Sequence, residues 1–319
     1  MDAPGQVPHT INCHVCGTLL DLTGHPGFTH VQCRCGALSV VPLHYGDFLL
    51  LSPIGSGAIA TVYKAIDLLL NRYLALKILP RKLSASAEVV NSFSREARAA
   101  AVNHPNVAQV YSFGEHEGRY YLAMELLERG SLDDRITKLG SLPEADVLSI
   151  GIQLASALRA AWRHGLLHRD VKPGNILFND EDVPKIVDFG LARHDKGDGG
   201  GAPERVWGTP YYVAPEKLRD QPEDFRSDIY SLGATLFHAL AGRPPFDAAT
   251  TGEVVTKHAT QPAFSLSEFA PSVHERTNRV INRMLAKDPA ERQGSYDDLI
   301  RELTRAQEGL KEKPTRKWF

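Results

Sequence analysis

Three polar side chains whose types and spacing fit phosphoryl transfer lie in residues 168–175, HRDVKPGN, here called the catalytic loop. Asp170 has a carboxylate that can accept the proton of an attacking hydroxyl. Asn175 offers an amide oxygen to Mg²⁺, and Lys172 can neutralise charge on the transferred phosphoryl group. A random loop could carry any one of these residues, but the three together at this spacing predict a catalytic segment.

A second candidate ligand for the metal follows the strand-like run 185–187. It is Asp188, the first residue of Asp188-Phe189-Gly190. Its hard carboxylate suits Mg²⁺, or Mn²⁺ in its place, and can bridge the metal to phosphate oxygens. Asn175 and Asp188 together therefore predict a divalent-cation site.

A phosphate-binding region is predicted at residues 54–62, between two strand-like runs. Gly55 and Gly57 would let backbone N–H groups approach phosphate oxygens without a Cβ in the way. A plain hairpin turn is the alternative interpretation.

Lys77 lies on the following strand, and Glu96 in the next helix could pair with it. Because a buried lysine is unfavourable unless paired, the two indicate a clamp on the α- and β-phosphates. A surface lysine with an unrelated glutamate is the alternative.

The elements that must position these residues change in character along the chain. Short apolar or β-branched runs predict strands near 48–51, 61–65, 73–79 and 120–125. Helical periodicity marks 87–102 and 144–164, and Ser227 is the predicted N-cap of a buried helix that ends before Gly242. The pattern predicts a small β-rich lobe followed by a larger helical lobe.

These motifs, with Gly208-Thr209-Pro210 and Ala214-Pro215-Glu216, resemble the eukaryotic-like Ser/Thr protein kinases, with phrasing like the bacterial members. The resemblance covers about residues 48–303. It implies an α+β, two-lobed protein kinase fold with ATP in the cleft, Mg²⁺ or Mn²⁺ as cofactor and protein substrates. Lys172, two residues after Asp170, resembles the Ser/Thr rather than the tyrosine pattern.

The resemblance also implies which residues hold the nucleotide. Met124 corresponds to the gatekeeper and the segment from Glu125 to Leu127 to the adenine-binding hinge, with Val62, Ala75 and Leu177 around the ring. The implied catalytic residues are Asp170, Lys172, Asn175, Lys77 and Glu96. The implied nucleotide-site residues are Ile54, Gly55, Ser56, Gly57, Val62, Ala75, Lys77, Met124, Glu125, Leu127, Leu177 and Asp188.

Other positions have structural roles in the resemblance. Asp228 supports the catalytic loop, and Glu216 pairs with Arg292. Arg169 is the arginine that pairs with a phosphorylated activation loop in many family members. Residues 191–208 contain no Ser, Thr or Tyr, so another anion is expected there, with Glu204 the first candidate and Asp198 the second. The alternative is that Arg169 is unpaired and points to solvent, with Glu204 a surface charge.

All four cysteines, Cys13, Cys16, Cys33 and Cys35, lie in the first 35 residues. Two cysteine pairs, each followed by glycine, predict a zinc-ribbon-like module with S₄ ligation. The second pair has one intervening residue instead of two, so His30 or His14 could replace one of its cysteines. Free thiols and, less favoured, a disulfide are the alternatives. The module is expected to have either a docking role, towards a protein partner or within the chain, or a purely structural one.

Composition limits the remaining interpretations. The net charge of −2 gives no strongly basic surface that would favour binding to nucleic acid. The sequence contains no run of about 18 apolar residues, so no membrane span is predicted. With no secretory start, a cytoplasmic location is expected. The predicted organisation is a zinc-ribbon-like module at 1–44, a kinase domain at 45–305 and a polar basic tail at 306–319. A pseudokinase, a small-molecule phosphotransferase and a zinc-dependent regulator are the competing functions.

Overall fold

The structure is a computed structural model that describes residues 5–57, 59–189, 210–262 and 265–311. The chain divides into two compact units. The first unit is Met1–Ala100 with Gln109–Leu126, and the second is Ala101–Ala108 with Leu127–Phe319. In the part of the chain that is described, no helix is long and apolar enough to cross a membrane.

Antiparallel strands build the first unit. Its strands are β1 (Thr10–Asn12), β2 (Leu19–Asp21), β3 (His30–Gln32), β4 (Leu38–Val40), β5 (Leu43–Tyr45), β6 (Phe48–Ser56), β7 (Thr61–Asp67), β8 (Arg72–Ile78), β9 (Val110–His116) and β10 (Arg119–Met124). Its helices are α1 (Arg81–Ser84) and α2 (Ala87–Ala97), and a 3₁₀ turn spans Arg98–Ala101. The strands 48–51, 61–65, 73–79 and 120–125 predicted from the sequence are confirmed as β6, β7, β8 and β10.

The described strands of the first unit form one six-stranded sheet and two hairpins. The sheet order is β5-β6-β7-β8-β10-β9, and β1 pairs with β2 and β3 with β4. Apolar side chains at alternate positions of the sheet form its core, including Leu50, Ala65, Leu74 and Leu76. Because side chains alternate between the faces of a sheet, this core fixes which residues lie on the opposite face.

The second unit is mainly helical. Its helices are α3 (Leu132–Leu139), α4 (Glu144–Arg163), α5 (Pro215–Leu218), α6 (Phe225–Ala241), α7 (Thr251–Thr260), α8 (Leu266–Phe269), α9 (Glu275–Met284) and α10 (Tyr296–Gly309). One hairpin, β11 (Ile176–Phe178) with β12 (Pro184–Ile186), and two 3₁₀ turns, Pro173–Asn175 and Pro289–Glu291, complete its described elements. Helix α4 packs against α6 and α10.

Helix α6 is buried on nearly every face, as its apolar composition predicts. Its N-cap, however, is Asp224, whose carboxylate accepts a hydrogen bond from the Arg226 N–H. The prediction that Ser227 caps this helix is therefore wrong. The Ser227 hydroxyl instead donates to Glu216 Oε1 at 2.7 Å inside the protein, so it is not available to a helix terminus.

One further element bound differs from that expected, and two elements overlap the expected domain boundaries, which stay predictions. Helix α2 ends at Ala97 and continues as a 3₁₀ turn, short of the expected residue 102. Strand β5 crosses the predicted module boundary at residue 44 by pairing with β6. Helix α10 continues to Gly309, beyond the expected start of the tail at residue 306.

Candidate active site and candidate metal centre

In the first unit, Lys77 and Glu96 form a buried ion pair. Lys77 lies on β8 and Glu96 near the end of α2, whose N-cap Ser86 accepts a hydrogen bond from Val89. The Lys77 Nζ lies 2.9 Å from each carboxylate oxygen of Glu96. The two residues are 5% and 2% exposed. Because a buried ammonium without a partner is strongly unfavourable, this pairing fixes where the lysine points.

The residues expected around the adenine and the phosphates share one face of the sheet. Val62 on β7 is the cross-strand partner of both Gly55 and Lys77, and Ala75 on β8 is the partner of Met124. Directly paired residues, and residues two apart on one strand, point to the same side of a sheet. The structure therefore brings these side chains together with Lys77.

The remaining nucleotide-site candidates fall on both units. Ile54, Gly55 and Ser56 belong to β6, and the Gly57 N–H donates to the Ala60 carbonyl at 2.9 Å, which closes the turn. The Glu125 N–H bonds to the Gln109 carbonyl at 2.8 Å in the first unit. Leu127 and Leu177 lie in the second unit, with Leu177 on β11. The nucleotide-binding roles of these residues stay predictions.

The catalytic loop in the second unit places two hydrogen-bond donors on one carboxylate. The Asp170 Oδ2 accepts hydrogen bonds from Lys172 Nζ at 2.6 Å and from Asn175 Nδ2 at 2.9 Å. The Asn175 amide nitrogen also donates to the Asp170 carbonyl at 2.9 Å. Both bonds of Asn175 use its nitrogen, so its amide oxygen is the atom that would face a metal ion.

Asp228 on α6 holds the start of the catalytic loop. Its carboxylate accepts the backbone N–H of His168 at 2.9 Å and of Arg169 at 2.8 Å. Burial raises the pKa of the Asp228 carboxyl, while His168 and these two hydrogen bonds favour the ionised form. The His168 ring is fully buried, with Nε2 at 2.9 Å from the Val187 carbonyl. His168 is thus a packed scaffold residue.

Asp188 lies two residues after the β11–β12 hairpin and has a left-handed backbone, with φ of 63°. The preceding Val187 N–H donates to the Asn175 carbonyl at 3.0 Å. This bond places the two predicted magnesium ligands on neighbouring segments. The next residue, Phe189, packs its ring 4.6 Å from that of His168. A carboxylate and an amide oxygen on adjacent segments fit the donor preference of Mg²⁺.

A second buried ion pair stabilises the segment before α6. Arg292 donates to the two carboxylate oxygens of Glu216 at 2.7 and 2.8 Å and to the Arg226 carbonyl at 2.8 Å. Burial alone would raise the pKa of Glu216, but the hydrogen bonds from Arg292 and Ser227 outweigh it and lower the pKa. The pairing implied by the resemblance is present, and it ties α5 to the start of α6.

Among the described residues, Arg169 contacts a carboxylate that the sequence did not suggest. Its Nε lies 3.5 Å from Glu223 Oε2, and its carbonyl accepts a hydrogen bond from Lys217 Nζ at 3.1 Å. The expected partners Glu204 and Asp198 lie outside the described residues. The sequence analysis did not identify Glu223. The one feature that could have pointed to it is its position as an acidic residue directly before Asp224, the N-cap of α6.

Comparison with known proteins adds an independent finding. The family model described as "Protein kinase domain" matches residues 48–305, most of the chain. The chain belongs to the protein kinase family. It is 35% identical to Serine/threonine-protein kinase PrkC of Bacillus subtilis over 262 residues, which is 82% of this chain and 40% of PrkC. It is 34% identical to Serine/threonine-protein kinase PknB of Mycolicibacterium smegmatis over 276 residues, 84% of this chain and 44% of PknB. The chain thus spans less than half the length of these relatives.

Outside the matched region, the kinase chain has a cluster of four thiols. The sulfur atoms of these residues, Cys13, Cys16, Cys33 and Cys35, all lie within 4.8 Å of one another. Cys13 Sγ is 3.7 Å from Cys35 Sγ, and Cys16 Sγ is 3.6 Å from Cys33 Sγ. A disulfide would need about 2.05 Å, so these are free thiols. A zinc ion with four sulfurs at about 2.3 Å would set them about 3.8 Å apart, which fits these distances.

Two glycine turns shape the thiol cluster. The N–H groups of Gly17 and Gly36 donate to the carbonyls of Cys13 and Cys33, both at 2.9 Å. Their φ angles of 71° and 89° lie in the region that favours glycine. The short second spacing therefore still brings Cys35 into the cluster. Neither His14 nor His30 belongs to this group of potential ligands in the described chain.

Residues 5–45 of the kinase, here called the cysteine segment, also contact the six-stranded sheet within the same unit. Gln6 and His44 exchange backbone hydrogen bonds at 3.1 and 2.7 Å, next to the β5–β6 pairing. The ring of Phe28 stacks on that of Tyr63 with centroids 5.6 Å apart. The thiol cluster has its own small apolar core, but residues 5–45 also cover part of the sheet core.

Proposed function

We propose that the chain transfers the γ-phosphate of ATP to serine or threonine hydroxyls of protein substrates. The observation that carries the proposal is the convergence of Lys172 and Asn175 on the carboxylate of Asp170. This arrangement supports Asp170 as the group that orients the substrate hydroxyl and accepts its proton as the oxygen bonds to phosphorus and ADP leaves. The ammonium of Lys172 would offset negative charge on the transferred phosphoryl group.

Each unit contributes its own candidate residues for the nucleotide. Lys77, oriented by Glu96, would contact the α- and β-phosphates, and backbone N–H groups near Gly55 and Gly57 would contact phosphate oxygens. Asn175 and Asp188 would bind Mg²⁺ or Mn²⁺, which when bound neutralises phosphate charge. The buried Lys77–Glu96 pair supports this assignment because it fixes the lysine in one position.

The choice of serine and threonine rests on two observations. Lys172 lies two residues after Asp170, as in the Ser/Thr pattern that the chain resembles. The curated relatives reported above are named as serine/threonine-protein kinases. A cytoplasmic location is part of the same proposal.

The substitution Asp170→Asn tests the proposal, because it keeps the shape of the side chain and removes the proton acceptor. We expect Asp170→Asn to lower kcat by roughly 10² to 10⁴ while nucleotide binding persists. Transfer of radiolabelled phosphate to a generic protein substrate and binding of a fluorescent ATP analogue would measure the two properties. The exposed Asp180 provides the matched control, since Asp180→Asn should leave kcat unchanged. Equal activity of wild type and Asp170→Asn would refute the catalytic assignment.

We also propose that the four cysteines bind one structural zinc ion. Four thiols at the separations of a tetrahedral S₄ site support this, since thiolates are preferred zinc ligands. Elemental analysis of protein purified without chelator should give one zinc per chain. Metal-free protein with four thiols that react in the folded state would contradict it.

A further inference from the structure

Arg169, the residue directly before Asp170, is held at three points. Its backbone N–H donates to Asp228 Oδ1 at 2.8 Å, and its carbonyl accepts from Lys217 Nζ at 3.1 Å. Its guanidinium Nε lies 3.5 Å from Glu223 Oε2. Arg169 is also a non-glycine residue with a left-handed φ of 66°. Such a backbone persists only where the surrounding contacts maintain it, so these contacts determine the position of Asp170.

The contact between Arg169 and Glu223 is largely shielded from water. The Glu223 side chain is 5% exposed and that of Arg169 is 23% exposed. Lys217 lies in the same cluster; burial lowers its pKa, while Glu223 and Asp170 favour its charged form. Glu223 therefore contributes negative charge next to both cations, together with Asp170 and Asp228 beside Lys217, and its removal from this shielded site should be unfavourable.

A segment anchored at both ends presents Glu223 to Arg169. Arg292 fixes the segment at one end through Glu216 and near the other through the Arg226 carbonyl. Glu223 lies between these two anchors, directly before the N-cap of α6. The same segment leads to Asp228, which binds the Arg169 N–H. The side chain and the backbone of Arg169 are therefore held by one short stretch of chain.

We propose that Glu223 is a positioning residue for catalysis, which fixes Arg169 and through it Asp170 without an activation-loop phosphate. Kinases switched by phosphorylation order their loops through new pairs between arginine and a phosphorylated residue. Here residues 191–208 offer no Ser, Thr or Tyr for such a phosphate, and a carboxylate already contacts the arginine. This inference rests on the proposed kinase activity.

The test compares Glu223→Gln with wild type under steady-state conditions. Glu223→Gln keeps the volume and removes the charge. We expect kcat to fall roughly 10- to 100-fold, since a misplaced catalytic group costs about that much. The KM for ATP should stay unchanged, because the Lys77–Glu96 pair is untouched. Glu223→Asp should recover part of kcat, and Asp220→Asn, at an exposed position of the same loop, should behave as wild type.

A double-mutant cycle separates positioning from a general loss of stability. If Glu223 acts through Arg169, then Glu223→Gln should add little to the defect of Arg169→Gln. Additive defects, or an unchanged kcat in Glu223→Gln, would overturn the inference. If Glu223→Gln does not fold, the same cycle is run with Glu223→Asp, which withdraws the carboxylate from the guanidinium. If the wild-type protein transfers no phosphate, the proposed function is contradicted, and this inference fails with it.

Discussion

The catalytic loop and the thiol cluster, here also called the cysteine centre, position their polar side chains by different means. In the catalytic loop, protein groups do the positioning: the carboxylate of Asp228, a fully buried residue of α6, accepts two backbone N–H groups, and Asn175 and Lys172 bond directly to Asp170. In the cysteine centre the buried cluster consists of Cys13, Leu20 and Cys33, with three partly buried apolar neighbours. Two of its three buried members are themselves proposed ligands.

This difference indicates where the stability of each region comes from. A core as small as that around Leu20 does not hold a segment in one conformation by apolar burial alone. A bound ion would supply that stability directly, since binding energy becomes folding energy when no site exists in the unfolded chain. The catalytic loop has no such need, because it is held by hydrogen bonds from protein groups, including the carboxylate of the buried Asp228.

The largest effect should follow removal of the metal. Loss of zinc by chelation, or substitution Cys13→Ser, should unfold the cysteine segment, because about 10 to 16 kcal/mol of apparent binding energy is lost. Hydrogen exchange should show loss of protection in β1 to β4, while α6 and the catalytic loop keep theirs. His14→Ala, at an exposed position between two ligands, should leave zinc content and protection unchanged. Protection in β1 to β4 that survives chelation would show that the segment folds on apolar contacts alone.

A smaller effect, in the other region, should follow substitution of the buried arginine. Arg292→Met should destabilise the second unit by about 3 to 5 kcal/mol, because the Glu216 carboxylate stays buried without its cation. Urea unfolding followed by far-ultraviolet circular dichroism, with zinc content measured in parallel, would test this. Zinc content should not change.

The control for this second prediction is an exposed ion pair of the same unit. Arg301 pairs with Asp298 on the surface of α10, so Arg301→Met should cost at most about 1 kcal/mol. Equal losses for Arg292→Met and Arg301→Met would mean that the polar network around Glu216 does not stabilise this region, and the contrast between the two regions would fail.

The sequence predicted those parts of the site that depend on local spacing. The catalytic loop and the Asp188 segment could be recognised from the types and spacing of their polar residues, whereas Lys77 and Glu96 lie on a strand and a helix whose patterns could be predicted. Strand alternation and helix length were also sufficient to predict β6 to β8, β10 and α4. In these cases the local preference of the chain agrees with its tertiary packing.

The parts that could not be predicted depend on contacts between distant segments. Ser227 has the composition of an N-cap, yet its hydroxyl bonds to Glu216, a choice that only the folded chain determines. Glu223 has no motif, and its importance comes from its distance to Arg169. The pairing of β5 with β6 was missed because nothing in the cysteine segment specifies its partner strand.

The smallest predicted effect concerns the junction between the cysteine segment and the sheet. Phe28 has a left-handed φ of 64°, which is unfavourable for an aromatic residue, and its N–H donates to the Val41 carbonyl at 2.7 Å. The stack of Phe28 on Tyr63 offsets this strain and joins the two parts. Phe28→Ala keeps the strained backbone and removes the stack, so it should lower stability by about 0.5 to 1.5 kcal/mol from the ring pair, plus the lost burial.

The readout that decides the role of Phe28 is the coupling between the two parts. In wild type, chelation of zinc should lower the protection of β5 and β6 as well as that of β1 to β4, because the cysteine segment pairs with this edge of the sheet. In Phe28→Ala, chelation should affect β1 to β4 while β5 and β6 respond less. Phe28→Leu, which keeps apolar burial but not the ring, should lie between the two. If chelation leaves β5 and β6 unaffected already in wild type, the cysteine centre is stabilised independently of the sheet.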